Sequence, residues 1–589
     1  MQYTADFIKA LTSPDRRYGE VPFYWWNGGE LTKERLTAQL EALAEKGLAG
    51  VQVNYCHINE GGEEGLTYGG FGRSLKGTPP QFSDEWWELF YHAAKECERL
   101  GMSIGMGDYT IAWIGNGYFT DKVAKTEGMN ATNLSCEEKM MFSGDEHTLP
   151  ENTLAVITYE DTDCKKPVII FEKGKGVITP VKGLCKAYII TEKRKENSID
   201  PLNPDCGRIL VDLYFREFER RCPDLKPGTL NYFFQDELMF GTDTRYLWNK
   251  TLREAVKEKR GYDILGFLPH LFFNLSDFTP VIRLDCQDVK TGLIEENYFI
   301  PVYNFHAERG LIYGCDQASR GKDPDEFSDY FRTVRWFTAP GNDTPGRAAD
   351  LIKVKVNSSI AHLYKRPRVW LEGYHSSGWG TTLESITAPT SDNFIYGANL
   401  LNLHGLYYGT NGGFFEWAPP DFHFRMPYWD DEKTWLDKYK RMSALLTTGV
   451  HRCDAAIFYP VSSCDYGENH KTCIEATFGM AEHIFGNGID FDFIDFQSIE
   501  RAACENGLMK VSDEQYKVLI FAGVDAVRQS AIDKAEDFLS VAIGGMSRHI
   551  RHKDTFYPGA AYTLSKNAHY VTDLSSATLQ PQVSSPYHL

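Results

Sequence analysis

Two glutamates that end apolar, strand-like runs are the residues of this sequence best suited to acid–base chemistry. Glu237 ends the run 230–237, and Glu372 directly follows the run 368–371. Cleavage of a glycosidic bond needs a proton for the leaving oxygen and a second carboxylate that acts as nucleophile or activates water. We therefore predict that Glu237 and Glu372 form a catalytic pair. A separation of about 5 Å would give retention and roughly 6.5–9.5 Å inversion, and the sequence leaves both open.

Three aspartates occupy similar places and extend the predicted site. Asp236 precedes Glu237, Asp108 ends the run 103–108, and Asp316 follows the run 310–315. In a (β/α)8 barrel the carboxyl ends of all strands meet at one face, where catalytic groups lie. The structural alternative, that the carboxylate caps the next helix or pairs with an arginine, applies most strongly to Asp108 and Asp316.

Aromatic and polar residues at other strand ends are candidates for sugar binding. Aromatic residues make up 14% of the chain, and flat apolar rings can stack on sugars. Packing against the next helix is an equal alternative for Trp25, Tyr55 and Trp379. Asn27 and His404 are stronger candidates because a polar group in a barrel mouth needs a hydrogen-bond partner. The predicted substrate-binding residues of this type are Trp25, Trp26, Asn27, Tyr55, His57, Trp379 and His404.

Alternating strand and helix patterns predict the element that positions these residues. The run 21–26 is followed by an amphipathic helix over 31–46, and Ser83 is the expected N-cap of a helix that ends at Leu100. We predict an α/β protein with a (β/α)8 TIM barrel over 1–450, interrupted by an antiparallel β subdomain at about 120–205. The eight expected barrel strands are 21–26, 50–55, 103–108, 230–237, 281–284, 310–315, 368–371 and 399–403.

The pattern restarts after the barrel and predicts a second, smaller domain. Strand-like runs at 455–460, 491–495 and 517–521 alternate with helical patterns, which indicates a doubly wound, Rossmann-like or flavodoxin-like α/β domain over 451–546. No G-x-G-x-x-G motif follows its first strand, so we do not expect dinucleotide binding there. This domain is a candidate for homo-oligomerisation. Residues 547–589 are weakly patterned, and we expect them to be a disordered or truncated tail.

Composition excludes several classes of partner. A net charge of −19 disfavours nucleic acid, which is bound through basic surfaces. The 13 cysteines include no C-x-x-C pair, and some, such as Cys56 and Cys315, lie in apolar runs, so we expect free thiols in a reducing, cytoplasmic compartment. No signal peptide or membrane-spanning stretch is evident. Metalloprotease, serine hydrolase and P-loop motifs are absent. An acidic barrel mouth is compatible with Ca²⁺, although no ligand spacing identifies a site.

Several short motifs, in order, resemble a known family. They are Pro22-Phe23-Tyr24-Trp25-Trp26-Asn27-Gly28, Phe234-Gln235-Asp236-Glu237, the segment 370–379 and the segment 397–404. Together they resemble glycoside hydrolase family 106, the α-L-rhamnosidases, over most of residues 20–460. The resemblance implies an inverting mechanism with Glu237 as general acid and Glu372 as base, with calcium assisting substrate binding. It also implies a further acidic residue after strand eight, for which Glu416 is nearest.

The same resemblance bears on the rest of the chain. The smaller domain is similar to the α/β domain that follows the barrel in β-galactosidase-like enzymes. Family members usually continue into β-sandwich domains, which are not evident here, so we expect that this chain is truncated relative to a longer active enzyme.

Two functional hypotheses follow from the sequence. The first is a hydrolase of a terminal sugar, with α-L-rhamnoside as the leading substrate and β-galactoside or another exo-glycosidase substrate as the alternative. The second is a non-catalytic carbohydrate-binding barrel, because a fold alone does not establish chemistry. The presence of both strand-end glutamates favours the hydrolase.

Overall fold

The computed structural model describes most of the chain. The described residues are 2–26, 29–54, 78–107, 118–179, 183–196, 198–411, 418–461, 470–524, 527–536, 538, 541–544 and 569–570.

Strands and helices are numbered here in chain order. The strands are β1 Phe23–Trp25, β2 Gly50–Asn54, β3 Ser103–Met106, β4 Thr132–Phe142, β5 His147–Leu149, β6 Thr153–Tyr159, β7 Pro167–Glu172, β8 Gly176–Ile178, β9 Leu184–Arg194, β10 Phe233–Asp236, β11 Tyr313–Asp316, β12 Gly341–Thr344, β13 Trp370–Gly373, β14 Leu400–Leu403, β15 Leu406–Tyr407, β16 Ala455–Phe458, β17 Phe491–Ile494, β18 Ala503–Glu505, β19 Leu508–Val511, β20 Glu514–Tyr516, β21 Val518–Ala522, β22 Val541–Gly544 and β23 His569–Tyr570. The helices are α1 Gln2–Thr12, α2 Lys33–Lys46, α3 Asp84–Leu100, α4 Tyr118–Lys125, α5 Cys206–Leu210, α6 Arg216–Arg221, α7 Lys250–Arg260, α8 Pro269–Phe272, α9 Thr279–Ile294, α10 Ile300–Ala307, α11 Tyr330–Val334, α12 Leu351–Tyr364, α13 Leu383–Ile395, α14 Glu432–Thr447, α15 His470–Gly486, α16 Phe496–Arg501 and α17 Gln529–Glu536.

Parallel pairing connects the strands that carry the predicted site. β1, β2 and β3 pair in order, as do β10 with β11, and β12, β13 and β14. Isolated parallel bridges connect β3 to the region of β10. A further isolated bridge connects β11 to the residues just before β12. β15 pairs with β1. The α/β class is therefore confirmed, and the parallel strands form three sheets of successive neighbours, β15-β1-β2-β3, β10-β11 and β12-β13-β14.

One predicted strand is wrong, and one strand was missed. Residues 281–284 lie inside helix α9, because a short apolar run fits a buried helix as well as a strand and its length alone cannot decide. The strand missing from the prediction is β12, Gly341–Thr344, which is fully buried yet has no apolar side chain. Central parallel strands are usually apolar, so its polar sequence hid it.

The N-cap predicted at Ser83 is confirmed, and the ends of α2 follow the same pattern. The Ser83 hydroxyl accepts a hydrogen bond from the Trp86 N–H and caps α3, which ends at Gly101 with a φ of 68°. Thr32 caps α2 in the same way, and Gly47 ends it with a φ of 88°. A polar N-cap satisfies an unpaired helical N–H, and glycine adopts the left-handed conformation without strain.

The side chains of the parallel strands separate into two buried layers. Phe23, Trp25, Phe234, Trp370 and Leu400 belong to one cluster enclosed by the strands. Their alternate neighbours pack outward against the helices, because successive side chains point to opposite faces of a strand. Trp370 fills the space between β11 and β12. Both strands have a glycine where they contact Trp370. A Cβ added at Gly314 or Gly341 would lie only 2.5 Å from a Trp370 atom, so there is no room for a side chain.

Four further sheets of the described residues lie outside this arrangement, and one of them is the antiparallel sheet of β18, β19 and β20. β4, β9, β6 and β7 form an antiparallel sheet within the predicted insertion, and β5 pairs with β8. β17, β16, β21, β22 and β23 form a parallel sheet after residue 450. The division of the chain into separate domains stays a prediction.

Within the described ranges, no helix combines the length and apolarity needed to cross a membrane. Cytoplasmic location stays a prediction. Every described cysteine is a free thiol, and Cys315 is buried in β11 as expected, while Cys56 lies outside the described residues.

Candidate active site

The carboxyl ends of the parallel strands bring a group of acidic residues together. Asp236 in β10 lies opposite Asp316 in β11, and Asp343 in β12 lies opposite Glu372 in β13. Each of these residues stands two positions after an inward-facing residue and therefore shares its face of the strand. These inward positions are occupied by Phe234, Gly314, Gly341 and Trp370.

Three of these carboxylates form a compact, buried cluster. One oxygen from each of Asp236, Asp316 and Glu372 lies within 4.8 Å of the others. Asp316 Oδ1 and Glu372 Oε2 have no hydrogen-bond partner among the described residues. Burial, together with the charge of Asp236 and the other nearby carboxylates, raises the pKa of Asp316 and of Glu372 well above the usual range. These three carboxylates could therefore share protons or coordinate a cation.

Arg320, in the loop after β11, connects Glu237 to the neighbouring strands. Its Nη2 atom lies 2.5 Å from Glu237 Oε1 and 3.6 Å from Asp316 Oδ2, and its Nε lies 2.6 Å from Asp343 Oδ1. Sequence analysis did not identify Arg320. Nothing in its local sequence distinguishes it from a surface arginine, since its partners are distant along the chain.

The backbone turns sharply at Glu237. This residue has a φ of 41°, and its N–H donates a hydrogen bond to the Asp316 carbonyl oxygen at 3.0 Å. A non-glycine residue in this region costs about 1–3 kcal/mol, and such strain is concentrated at functional sites. The turn leaves the Glu237 side chain 23% exposed beside Arg320, whereas Glu372 is only 3% exposed.

Asp343 is a site residue that sequence analysis missed. His375 Nε2 lies 3.1 Å from its Oδ2, and Lys353 Nζ lies 3.1 Å from its Oδ1. Burial opposes ionisation, but the His375 hydrogen bond and the charges of Arg320 and Lys353 lower the pKa of Asp343 well below its usual range. The long stretch between the strands of Asp316 and Glu372, with room for one more strand and helix, was the signal that could have revealed it.

His404 lies beneath the glutamate of β13. Its Nδ1 lies 2.8 Å from Glu372 Oε1, and its ring stacks on Trp25 with centroids 5.4 Å apart. Burial, reinforced by the neighbouring His375, lowers the pKa of His404 well below 6.5. A neutral imidazole therefore faces the Glu372 carboxyl group, and Trp25 supports that imidazole from inside the strands.

The remaining predicted residues divide into three groups. Trp26 corrects the prediction, since it is 1% exposed and packs outward against Trp86 and Phe90, on the face opposite to Trp25. Trp379 lies on the loop after β13 and is 43% exposed, so its ring is accessible. The predicted site residues that lie outside the described residues are Asn27, Tyr55, His57, Asp108 and Glu416.

The fold is similar to that of solved glycosidases. A rhamnosidase from Novosphingobium sp. PP1Y superposes with a TM-score of 0.67 and 12% identity, covering 92% of this chain and 70% of that one. A β-galactosidase from the Antarctic haloarchaeon Halorubrum lacusprofundi gives a TM-score of 0.51 and 10% identity, covering 93% and 75%. No family model and no curated protein matches the sequence. At these identities the comparison shows the (β/α)8 fold of such glycosidases and nothing finer.

Proposed function

We propose that this protein is a glycoside hydrolase that removes a terminal sugar, with an α-L-rhamnoside as the leading substrate. The observation that carries the proposal is the convergence of Glu237 and Glu372, from strands distant in sequence, around one group of strand-end carboxylates and Arg320. Two carboxylates in one barrel mouth are what glycosidic cleavage requires. A β-galactoside is the second candidate, because one structural neighbour is a β-galactosidase. The proposal includes a closed barrel, which the parallel pairings within each sheet and the isolated bridges between sheets support.

The proposed roles are Glu237 as general acid and Glu372 as base. Glu237 is the more exposed of the two and is therefore placed to meet a leaving group that enters from solvent. Glu372 lies deeper, beside neutral His404, where an ionised carboxylate would accept a hydrogen bond from Nδ1–H. A base in this position would activate water on the other side of the sugar.

Both roles require a change from the ligand-free arrangement. Arg320 holds Glu237 Oε1, so the substrate must displace this arginine before that oxygen can reach the leaving group. Glu372, in turn, must lose the proton that burial and the neighbouring carboxylates favour. Positive charge beside the cluster would ionise Glu372.

Ca²⁺ is the cation whose chemistry best fits this cluster. Asp236, Asp316 and Glu372 would hold it, since they offer only oxygen ligands and two of their buried oxygens accept no hydrogen bond from the described residues. When bound, Ca²⁺ would offset the carboxylate charges and offer coordination to sugar hydroxyls.

The experiment that tests the function is hydrolysis of a panel of nitrophenyl glycosides, led by the α-L-rhamnoside. We expect one glycoside to be cleaved and Glu237→Gln and Glu372→Gln each to lose at least about 10²-fold in kcat/KM. Glu384→Gln, on the exposed start of α13, is the matched control and should remain active. A chain that binds sugars but cleaves none of the panel, with affinity unchanged in Glu237→Gln, would identify a carbohydrate-binding barrel instead.

A further inference from the structure

A second group of metal-ligating side chains lies where helix α12 meets the C-terminal parallel sheet. His362 is near the end of α12, His451 precedes β16, and Asp492 is in β17. One ligand atom from each lies within 4.8 Å of the others. None of these residues belongs to the carboxylate cluster described above, so the proposed glycosidase function leaves them unexplained.

Both imidazoles present the same nitrogen to one carboxylate. His362 Nδ1 lies 2.8 Å from Asp492 Oδ1, and His451 Nδ1 lies 3.3 Å from Asp492 Oδ2. The two rings are stacked, with centroids 4.2 Å apart and an interplanar angle of 12°. Asp492 is fully buried, and the two histidine side chains are each 19% exposed. Two imidazoles in this arrangement would repel one another if both were protonated.

A second carboxylate points into the same space without a hydrogen bond. Glu514 is 2% exposed, and its Oε2 lies 3.6 Å from His451 Nδ1. That oxygen accepts no hydrogen bond from the described residues. Apart from His451, its other basic neighbour is Arg452, 4.0 Å away. A buried carboxylate oxygen in this state lacks the partner that would offset its desolvation.

We propose that His362, His451, Asp492 and Glu514 form a site for a divalent transition ion of the Zn²⁺ class. Two imidazole nitrogens and two carboxylate oxygens are a donor set that Zn²⁺ accepts. Tetrahedral bonds of about 2.1 Å place neighbouring ligand atoms about 3.4 Å apart. The distances of 3.3 Å from His451 Nδ1 to Asp492 Oδ2 and 3.6 Å from His451 Nδ1 to Glu514 Oε2 are close to that value.

The ion would have a structural role. Its ligands come from α12, from the segment before β16, from β17 and from β20. Since α12 also carries Lys353, which contacts Asp343, the ion would fasten the helix behind the carboxylate cluster to the following sheet. The competing arrangement is an ion pair between the histidines and Asp492 that needs no metal.

The test uses the whole protein, stripped with a chelator and then supplied with Zn²⁺ alone. We expect about one equivalent of zinc to remain after dialysis, measured by elemental analysis, and the Tm to rise by at least ~3 °C. Co²⁺ in place of Zn²⁺ should give the visible absorption of a tetrahedral site. His451→Gln should lose all three signals, and His362→Gln is the second variant if the first does not fold.

Two control variants separate this site from other zinc binding. His483→Gln alters an exposed histidine on α15, and Asp316→Asn alters the carboxylate cluster, and both should keep the bound equivalent. Zinc below about 0.1 equivalent in the wild-type chain, or the same stoichiometry in His451→Gln and His362→Gln, would overturn the proposal. Because metal content and Tm are measured, the result does not depend on glycosidase activity.

Discussion

His404 Nδ1 and Glu372 Oε1 are 2.8 Å apart in a region where both side chains are almost fully buried. When Glu372 is ionised, neutral His404 donates this hydrogen bond and stabilises the negative charge. In the proposed mechanism His404 would be a positioning residue that influences the protonation of Glu372 without contacting the reacting bond.

Replacement of His404 tests this relationship. We expect His404→Leu to lower kcat by about 10- to 100-fold, because removal of one partner of a buried hydrogen bond costs about 1–3 kcal/mol. Loss of the donor raises the pKa of Glu372 further, so the acidic limb of the pH profile should move to higher pH. A fall in kcat with an unmoved acidic limb would show that His404 serves packing alone.

The roles of the two glutamates can be distinguished by leaving group. Glu237→Gln should retain much more activity on dinitrophenyl glycosides than on alkyl glycosides, because a good leaving group departs without a proton. Glu372→Gln should be impaired about equally on both. The opposite pattern would make Glu372 the acid, a role that its raised pKa in the ligand-free structure would suit. Relative kcat/KM values for the two substrate series, with Glu384→Gln as control, decide between them.

Removal of calcium tests the carboxylate cluster. Chelation should lower the Tm and activity, and added Ca²⁺ should restore both, since binding to the native state alone stabilises it. Ca²⁺ should also move the acidic limb to lower pH, because positive charge lowers the raised pKa of Glu372. Asp316→Asn should lose these responses. If Tm and pH profile are the same with chelator and with Ca²⁺, the cluster holds protons.

Asp329 provides a test of stability against pH. Its side chain caps α11 by accepting a hydrogen bond from the Arg332 N–H, and burial raises its pKa to about 7. The folded chain therefore keeps a proton that the unfolded chain releases near pH 4, so this residue lowers stability as pH rises from about 4 to about 7. The full effect is up to ~4 kcal/mol.

Asp329→Asn removes this titration but keeps the cap, since asparagine caps helices about as well as aspartate. We expect the Tm of Asp329→Asn minus that of the wild type to be more positive at pH 8 than at pH 5. Asp350→Asn, at the N-cap of α12, is the matched control. An equal Tm difference between Asp329→Asn and wild type at both pH values would contradict the assigned pKa.

Much of the strand order could be predicted because most barrel strands are apolar runs that end in a polar residue. The same rule placed Glu237, Glu372, Asp236 and Asp316 at one face, and the structure brings them together. The pattern could not decide between Trp25 and Trp26, since strand parity, not residue type, determines which one faces inward.

The site residues that were missed depend on contacts distant in sequence. Arg320 and Asp343 belong to the site because they contact each other. Arg320 also contacts Glu237, which lies 83 residues earlier in the chain. Local patterns carry no information about such contacts. The prediction of a strand at 281–284 instead of β12 has the same cause. Pairing with neighbouring strands, not apolar side chains, determines the place of β12.

The polar composition of β12 has a consequence for the order of folding. Gly341, Asn342, Asp343 and Thr344 offer no apolar surface that would draw this segment into a collapsing core. Backbone hydrogen bonds with β13, and the bridge from β11 to the residues just before β12, place it in register. These partners must be in place before β12 can join them. Asp343 and its contact with Arg320 should therefore form late, so that a partly folded chain would have its glutamates but not yet an assembled site.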